Sequence, residues 1–249
     1  MVTPGNIIAL SLIIFIASVV RGFTGFGLAL VAVPLIQFLL PVTDTAVFIA
    51  MINVIFSILY YRRSKAIVRD QPLGAMALWT GIGVAAGTLI LKFINPAYIQ
   101  LVWGVLIIFI VIALARGVNL NIRSDRSAMT LSGLFGGVLA GATGITGPPV
   151  AIILSSLRTP KEKFNAIISI FILFAVSYAL VFYLISGLIR IEILLLALCS
   201  VPALLAGLYT GDRLVSRISQ KTFTSIVYVV LVIMGIITLY KGANSLFNF

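Results

Sequence analysis

RGFTGFG at residues 21–27 and GATGITGPP at 141–149 each interrupt a long apolar run, and their reading decides the fold. Hydrocarbon offers no hydrogen bonds, so irregular backbone at membrane depth is tolerated only where it packs in protein or lines a cavity. Interrupted segments at corresponding places in two halves of a chain mark the binding site of many transporters. Two such breaks therefore predict a broken-helix architecture with a site between the breaks.

The composition supports a membrane setting. The 249 residues are 61% hydrophobic and 9% charged, against about 25% charged for a soluble domain. The class is all-α and integral to the bilayer. The first twenty residues lack the basic flank of a cleaved signal peptide and are kept as structure. The net charge of +11 would suit nucleic acid, but the positives sit in short loops between apolar segments, where they act as topology signals. Nucleic acid is thus excluded as a partner; the lipid bilayer is the expected one. No histidine is present, and Cys199 stands alone in an apolar helix, where it reads as a small buried side chain. No metal and no cofactor are expected. Enzyme chemistry lacks carriers as well, because no carboxylate falls mid-span: Asp44, Asp70, Asp125, Glu162, Glu192 and Asp212 all lie at or near block ends.

Eight apolar blocks are legible: 6–40, 44–61, 72–91, 97–115, 128–157, 164–187, 190–211 and 222–240. Blocks 6–40 and 128–157 exceed the roughly 20 residues of one span and contain the breaks. Each is either one interrupted crossing or a re-entrant hairpin, and the basic residues choose. With hairpins, Arg62, Arg63, Lys65, Arg69, Arg116, Arg123, Arg126, Arg158, Lys161, Lys163, Arg213, Arg217 and Lys221 share one face, leaving Lys92, Arg190 and Lys241 on the other. With crossings, the charges divide almost evenly. Cytoplasmic loops carry the excess of lysine and arginine, so the hairpin arrangement is expected, with both termini periplasmic. Each half is then a hairpin plus three transmembrane helices, an odd number of crossings, and the halves run in opposite senses. The expected repeats are 1–127 (hairpin 6–40, helices 44–61, 72–91 and 97–115) and 128–249 (hairpin 128–157, helices 164–187, 190–211 and 222–240). Local matches agree: Gly22-x-Thr24-Gly25 recurs as Gly141-x-Thr143-Gly144, and Gly83-x-x-x-Gly87 as Gly207-x-x-x-Gly211, small residues that let helices approach closely.

A helix that starts inside a membrane presents unpaired N–H groups and the positive end of its dipole, a natural anion site. Helix restarts are expected near Leu28 and near Pro148, proline being at home in a first turn. The opposed tips should meet near the midplane, with Thr24, Thr143 and Thr146 offering hydroxyls and Ile145 between the last two. Arg21 lies about 15 residues into the first run; a membrane-buried arginine is a functional-site candidate by default, and its planar donors suit sulfonate, sulfite or carboxylate oxygens. Capping of the hairpin turn is the competing role for Arg21. Asn53 with Ser57, and Asn165 with Ser169, are four apart and share helix faces; they line the cavity or bond neighbouring helices. Thr80 and Ser177 are further polar groups inside apolar blocks. Trp79, Trp103 and the tyrosines near block ends read as interfacial anchors, and Pro34 and Pro202 as kinks.

GFTGFGLALVAVPLI at 22–36 and GLFGGVLAGATGITGPPVAIIL at 133–154 resemble the two hallmark segments of the TauE/SafE sulfite exporter family, also called the 4-toluene sulfonate uptake permease family. YYRRSKAIV at 60–68 is similar to that family's basic loop. The resemblance implies a transporter of sulfite or organosulfonate in the bacterial cell inner membrane, with export the expected direction and a homodimer compatible with it. Carried over by motif, the implied site comprises Thr24, Gly25, Phe26 and Gly27 with Thr143, Gly144, Thr146 and Gly147. The expectation is therefore alternating access to a small sulfur anion at a midplane site. An anion channel and a non-transporting assembly subunit are the rivals.

Overall fold

The computed structural model describes residues 3–24, 27–68, 70–116, 122, 124–155, 157, 160–214 and 220–247. Among them every regular element is an α-helix: α1 Pro4–Thr24, α2 Leu28–Ile36, α3 Val42–Ile67, α4 Leu73–Phe93, α5 Pro96–Ala115, α6 Asp125–Thr143, α7 Gly147–Ser155, α8 Lys161–Ile185, α9 Ile191–Leu214 and α10 Gln220–Phe247. Acidic residues occupy the first turns of α3, α6, α8 and α9, where they complement the helix dipole. Several helices outrun their apolar blocks, α3 reaching Ile67 and α10 Phe247. Backbone hydrogen bonding continues past the point where the side chains become polar.

Seven of these helices are long and apolar enough to cross a membrane, and the protein is a multi-pass membrane protein. Six correspond to the six expected spans. The seventh, Pro4–Gly22, is the first arm of the expected hairpin. At 21 residues, α1 is ~31 Å long, whereas α2 has nine residues and is ~13 Å long. The first broken segment is thus a full-length helix followed by a half-length one, because the apolar run before the break is itself as long as an ordinary span. The second is built alike, with 19 residues in α6 and nine in α7. In both segments the two arms pack against one another.

The main helix pairs are α4 with α6, α1 with α9, α5 with α10 and α3 with α8. Small residues bring the first two pairs together. A Cβ on Gly87 would lie 2.2 Å from the Val138 carbonyl oxygen, and one on Gly141 would lie 2.3 Å from that of Val84. Likewise, a Cβ on Gly207 would meet the Phe15 carbonyl at 2.5 Å, and one on Gly211 would meet that of Val19 at 2.9 Å. Backbones in direct contact hold these pairs together by dispersion, since lipid supplies no hydrophobic drive between apolar helices. The outer surface is apolar, as a lipid-facing surface requires. Two expectations change here. Cys199 is exposed on the outside of α9 and is not a core residue. Trp103, eight residues into α5, is 1% exposed and serves the core.

Candidate anion site at the two breaks

The breaks fall where the glycines stand. α1 runs to Thr24 and α2 begins at Leu28, while α6 ends at Thr143 and α7 begins at Gly147. Gly144 closes α6 with φ +79°, a left-handed conformation that side-chain-bearing residues avoid, while its amide donates to the Ala140 carbonyl at 2.8 Å. The Thr143 hydroxyl donates to the Leu139 carbonyl and accepts from the Ile145 amide at 3.3 Å. Tyr183 of α8, fully buried, donates to the Gly141 carbonyl at 2.8 Å. These bonds satisfy carbonyls that a terminating helix would otherwise leave orphaned in an apolar interior. Thr143, Gly144, Ile145, Thr146 and Gly147 are all buried. At the start of α7, Pro148 and Pro149 carry no N–H, so two of the four first-turn donors are missing there.

The first break is built differently. The amides of Leu28, Ala29 and Leu30 open α2 without acceptors inside the helix, and all three residues are at most 3% exposed. Arg21 is 2% exposed. Its Nη1 donates to Asn53 Oδ1 at 2.7 Å, and its guanidinium carbon lies 3.3 Å from the centroid of the Phe56 ring. A short charge-assisted hydrogen bond and a ring face together fix the cation. Gly25 and Phe26, and the side chain of Thr24, lie outside the described residues; Gly27 is buried.

One helix gathers both breaks. Gly144 packs against Ala46 and Ile49 of α3, where an added Cβ would lie 3.1 Å from the Ala46 carbonyl. Arg21 reaches Asn53 and Phe56 of the same helix. Positions 46, 49, 53 and 56 repeat at three and four and so share one face. Four residues of rise, ~6 Å, separate Ile49 from Asn53. Asn53 is eleven residues into α3, ~16 Å from its start. Gly144 and the Arg21 guanidinium thus meet one face of α3, about one helical turn apart.

The remaining candidates separate. Ser57, fully buried, donates back to the Asn53 carbonyl at 2.8 Å, while Asn53 Nδ2 has no hydrogen-bond partner among the described residues. Ser169 donates to the Asn165 carbonyl at 2.8 Å, and both lie in the first turns of α8, far along the helix from Tyr183. Thr80 bonds its own helix, and Ser177 faces outward. Among the described residues no His, Cys, Asp or Glu cluster suits a metal. Phe56 and Tyr183 went unrecognised in the sequence. Phe56 was legible as three residues beyond Asn53 on one face, whereas Tyr183, four residues from a block end, resembles an interfacial anchor.

A multi-pass all-helical protein with two interrupted apolar segments and a buried arginine beside the first has the makeup of a solute-handling membrane protein. The family model described as Sulfite exporter TauE/SafE matches residues 10–238, and the chain belongs to that family. The chain is also similar to a protein named Probable sulfite/organosulfonate exporter TauE from Cupriavidus necator, 24% identical over 220 residues that cover 85% of each chain. No solved structure matches.

Proposed function

We propose that this protein transports small sulfur-containing anions, sulfite or organosulfonates, across the bacterial inner membrane by alternating exposure of a site between the two break tips. The observation that carries this reading is Arg21: a guanidinium buried in the bundle, fixed on Asn53 and Phe56, on the helix face that also receives Gly144. A buried planar cation and, across the same break, the three opening amides of α2 are donors of the kind that a sulfonate or sulfite fits. In this reading Arg21 and the α2 amides hold the anion, and the α7 tip closes over it. Export is the direction that the relative's name suggests.

The topology belongs to the same proposal. Repeats 1–127 and 128–249 run in opposite senses, with the basic loops cytoplasmic. Three contacts and a pairing pattern support it. Arg190 bridges Asp44 at 3.5 Å, and Lys241 bonds the Gln37 carbonyl and lies 4.8 Å from the Phe38 ring. The hairpin arrangement puts these partners on one face of the membrane; the crossing arrangement puts them on opposite faces. Exchanging α1–α5 for α6–α10 also turns the α1–α9 pair into the α6–α4 pair and returns α3–α8 and α5–α10 to themselves.

Proteoliposomes loaded with radiolabelled sulfite or sulfoacetate test the reading. Saturable, counterflow-competent flux is expected, with Arg21→Ala reducing it at least tenfold. Flux that neither saturates nor exchanges would make the protein a channel, and undiminished flux in Arg21→Ala would remove Arg21 from the site.

A further inference from the structure

A second cavity, of 330 Å³, opens at the end of the bundle where α2 stops and α3 and α5 begin. Gln37, Phe38, Pro96, Gln100, Lys241 and Ser245 line it, and no acidic residue does. Gln37 and Gln100 are 7% and 8% exposed, yet neither side-chain amide has a hydrogen-bond partner among the described residues. Side-chain amides that line a cavity and bond no neighbour are at hand for whatever fills it. Lys241 donates one proton to the main-chain oxygen of Gln37, the residue that caps the C-terminus of α2, and its ammonium lies 4.8 Å from the Phe38 ring. Two of its three donors remain for a ligand. Ser245 stands one turn further along α10 on the same face. Pro96 opens α5 and Val42 opens α3, so two helix N-termini add positive potential to the wall.

We infer that this cavity is a second anion site, taking a small oxyanion on the Lys241 ammonium and the Gln37, Gln100 and Ser245 side chains. Its volume equals about eleven waters at ~30 Å³ each, enough for a hydrated sulfite or a short organosulfonate whose carbon tail rests on Phe38 and Pro96. It is separate from Arg21, which sits ~16 Å along α3 from Val42 at the cavity wall. The nine residues of α2 run between the two, with their N-terminus at the first break and their C-terminal cap on Lys241. In the proposed topology the cavity faces the periplasm and is where an exported anion pauses before release. That placement rests on the transport reading; the anion affinity itself does not.

Thermal unfolding of the purified, detergent-solubilised Arg21→Met protein, titrated with sulfite and with sulfoacetate at constant ionic strength, tests it, because ligand bound only to the folded state raises the transition. A saturable rise in Arg21→Met is expected, with half-saturation at least tenfold weaker once Lys241→Gln or Gln100→Leu is added. Gln100→Leu leaves the Lys241–Gln37 bond intact, so it decides the matter if Lys241→Gln does not fold. Should Arg21→Met be unstable, calorimetric titration of the wild type replaces it: two binding steps, one of them lost in Gln100→Leu, uphold the site. No rise in Arg21→Met, or a rise unchanged by both further substitutions, overturns it. Neither outcome depends on whether the wild type carries flux.

Discussion

Gly144→Ala separates the strain of the second break from its packing, because the chain contains a control. Gly144 and Gly187 have nearly the same backbone angle, φ +79° and +71°. Alanine in that left-handed region costs roughly 1–2 kcal/mol at either place. At Gly187 an added Cβ meets nothing within 4 Å. At Gly144 it meets the Ala46 carbonyl at 3.1 Å and Ile49 side-chain atoms at 3.2 and 3.3 Å. Relaxed contacts lie near 3.5–4.0 Å, so the tip must retreat from α3 by a few tenths of an ångström. If ~1 Å of misplacement at a reacting site costs ~100-fold, a retreat of that size corresponds to a loss of about three- to tenfold. Both variants are therefore expected to lower the unfolding transition by about 2–8 °C, at ~2–4 °C per kcal/mol for a chain of this size. Only Gly144→Ala should slow sulfite or sulfoacetate flux in proteoliposomes. Gly144→Asn, which tolerates the left-handed region, should recover part of the stability and none of the flux. Equal flux loss in Gly144→Ala and Gly187→Ala, or normal flux in the former, refutes the reasoning that ties the tip's seat on α3 to transport.

Two further substitutions probe the frame around the breaks. Asn53→Leu removes the acceptor of the 2.7 Å bond from Arg21 and should lower stability by about 1.5–3 kcal/mol; Asn53→Asp keeps that bond but adds negative charge, so thermal unfolding should show it nearly as stable as the wild type, with weakened anion affinity. Gly87→Val drives a side chain into the Val138 carbonyl, 2.2 Å from where its Cβ would lie, and should part α4 from α6 at a cost of about 1–3 kcal/mol or more, seen as a lower unfolding temperature together with lost expression.

What the sequence revealed follows from the kind of force involved. The six central spans and both breaks were legible because lipid imposes one rule on every residue: apolar outside, backbone bonded within. The glycine pairs at 83/87 and 207/211 were legible because helices that touch backbone to backbone exclude any larger residue, and the structure places both pairs in such contacts. Depth was not legible. That Arg21 lies level with Asn53 depends on how far α1 reaches before it turns, and hydropathy is blind to a tertiary register between two uniformly apolar helices. Trp103 and Tyr183 were misread for a related reason, since an aromatic residue in an apolar run fits both a core and an interface. Which side chains α3 gathers was equally hidden; the spacing 46, 49, 53, 56 becomes meaningful only once partners are seen on it.

The two breaks match in sequence as Gly22-x-Thr24-Gly25 and Gly141-x-Thr143-Gly144, yet the chemistry around them is unequal. At the second, the threonine hydroxyl is engaged twice with backbone, prolines remove two first-turn donors, and Tyr183 holds the end of α6. At the first, α2 opens with three amides that lack helical acceptors, and the arginine of the preceding helix is fixed on α3. A tip whose threonine is committed to backbone and whose first turn is half proline suits a part that positions, and a tip with free opening amides after an arginine suits a part that binds. Thr143 is accordingly a positioning residue, and substitution should separate the two roles. Thr143→Val removes the cap, so stability is expected to fall by about 1 kcal/mol and maximal flux with it, while the concentration of anion at half-maximal flux stays within about twofold of the wild type. Thr143→Ser, which keeps the hydroxyl, restores both stability and flux. Arg21→Lys should do the reverse, weakening half-saturation more than it lowers stability, because the charge stays and the planar donors go. Half-saturation that shifts tenfold in Thr143→Val would place that hydroxyl on the anion and make the two breaks equal partners in binding.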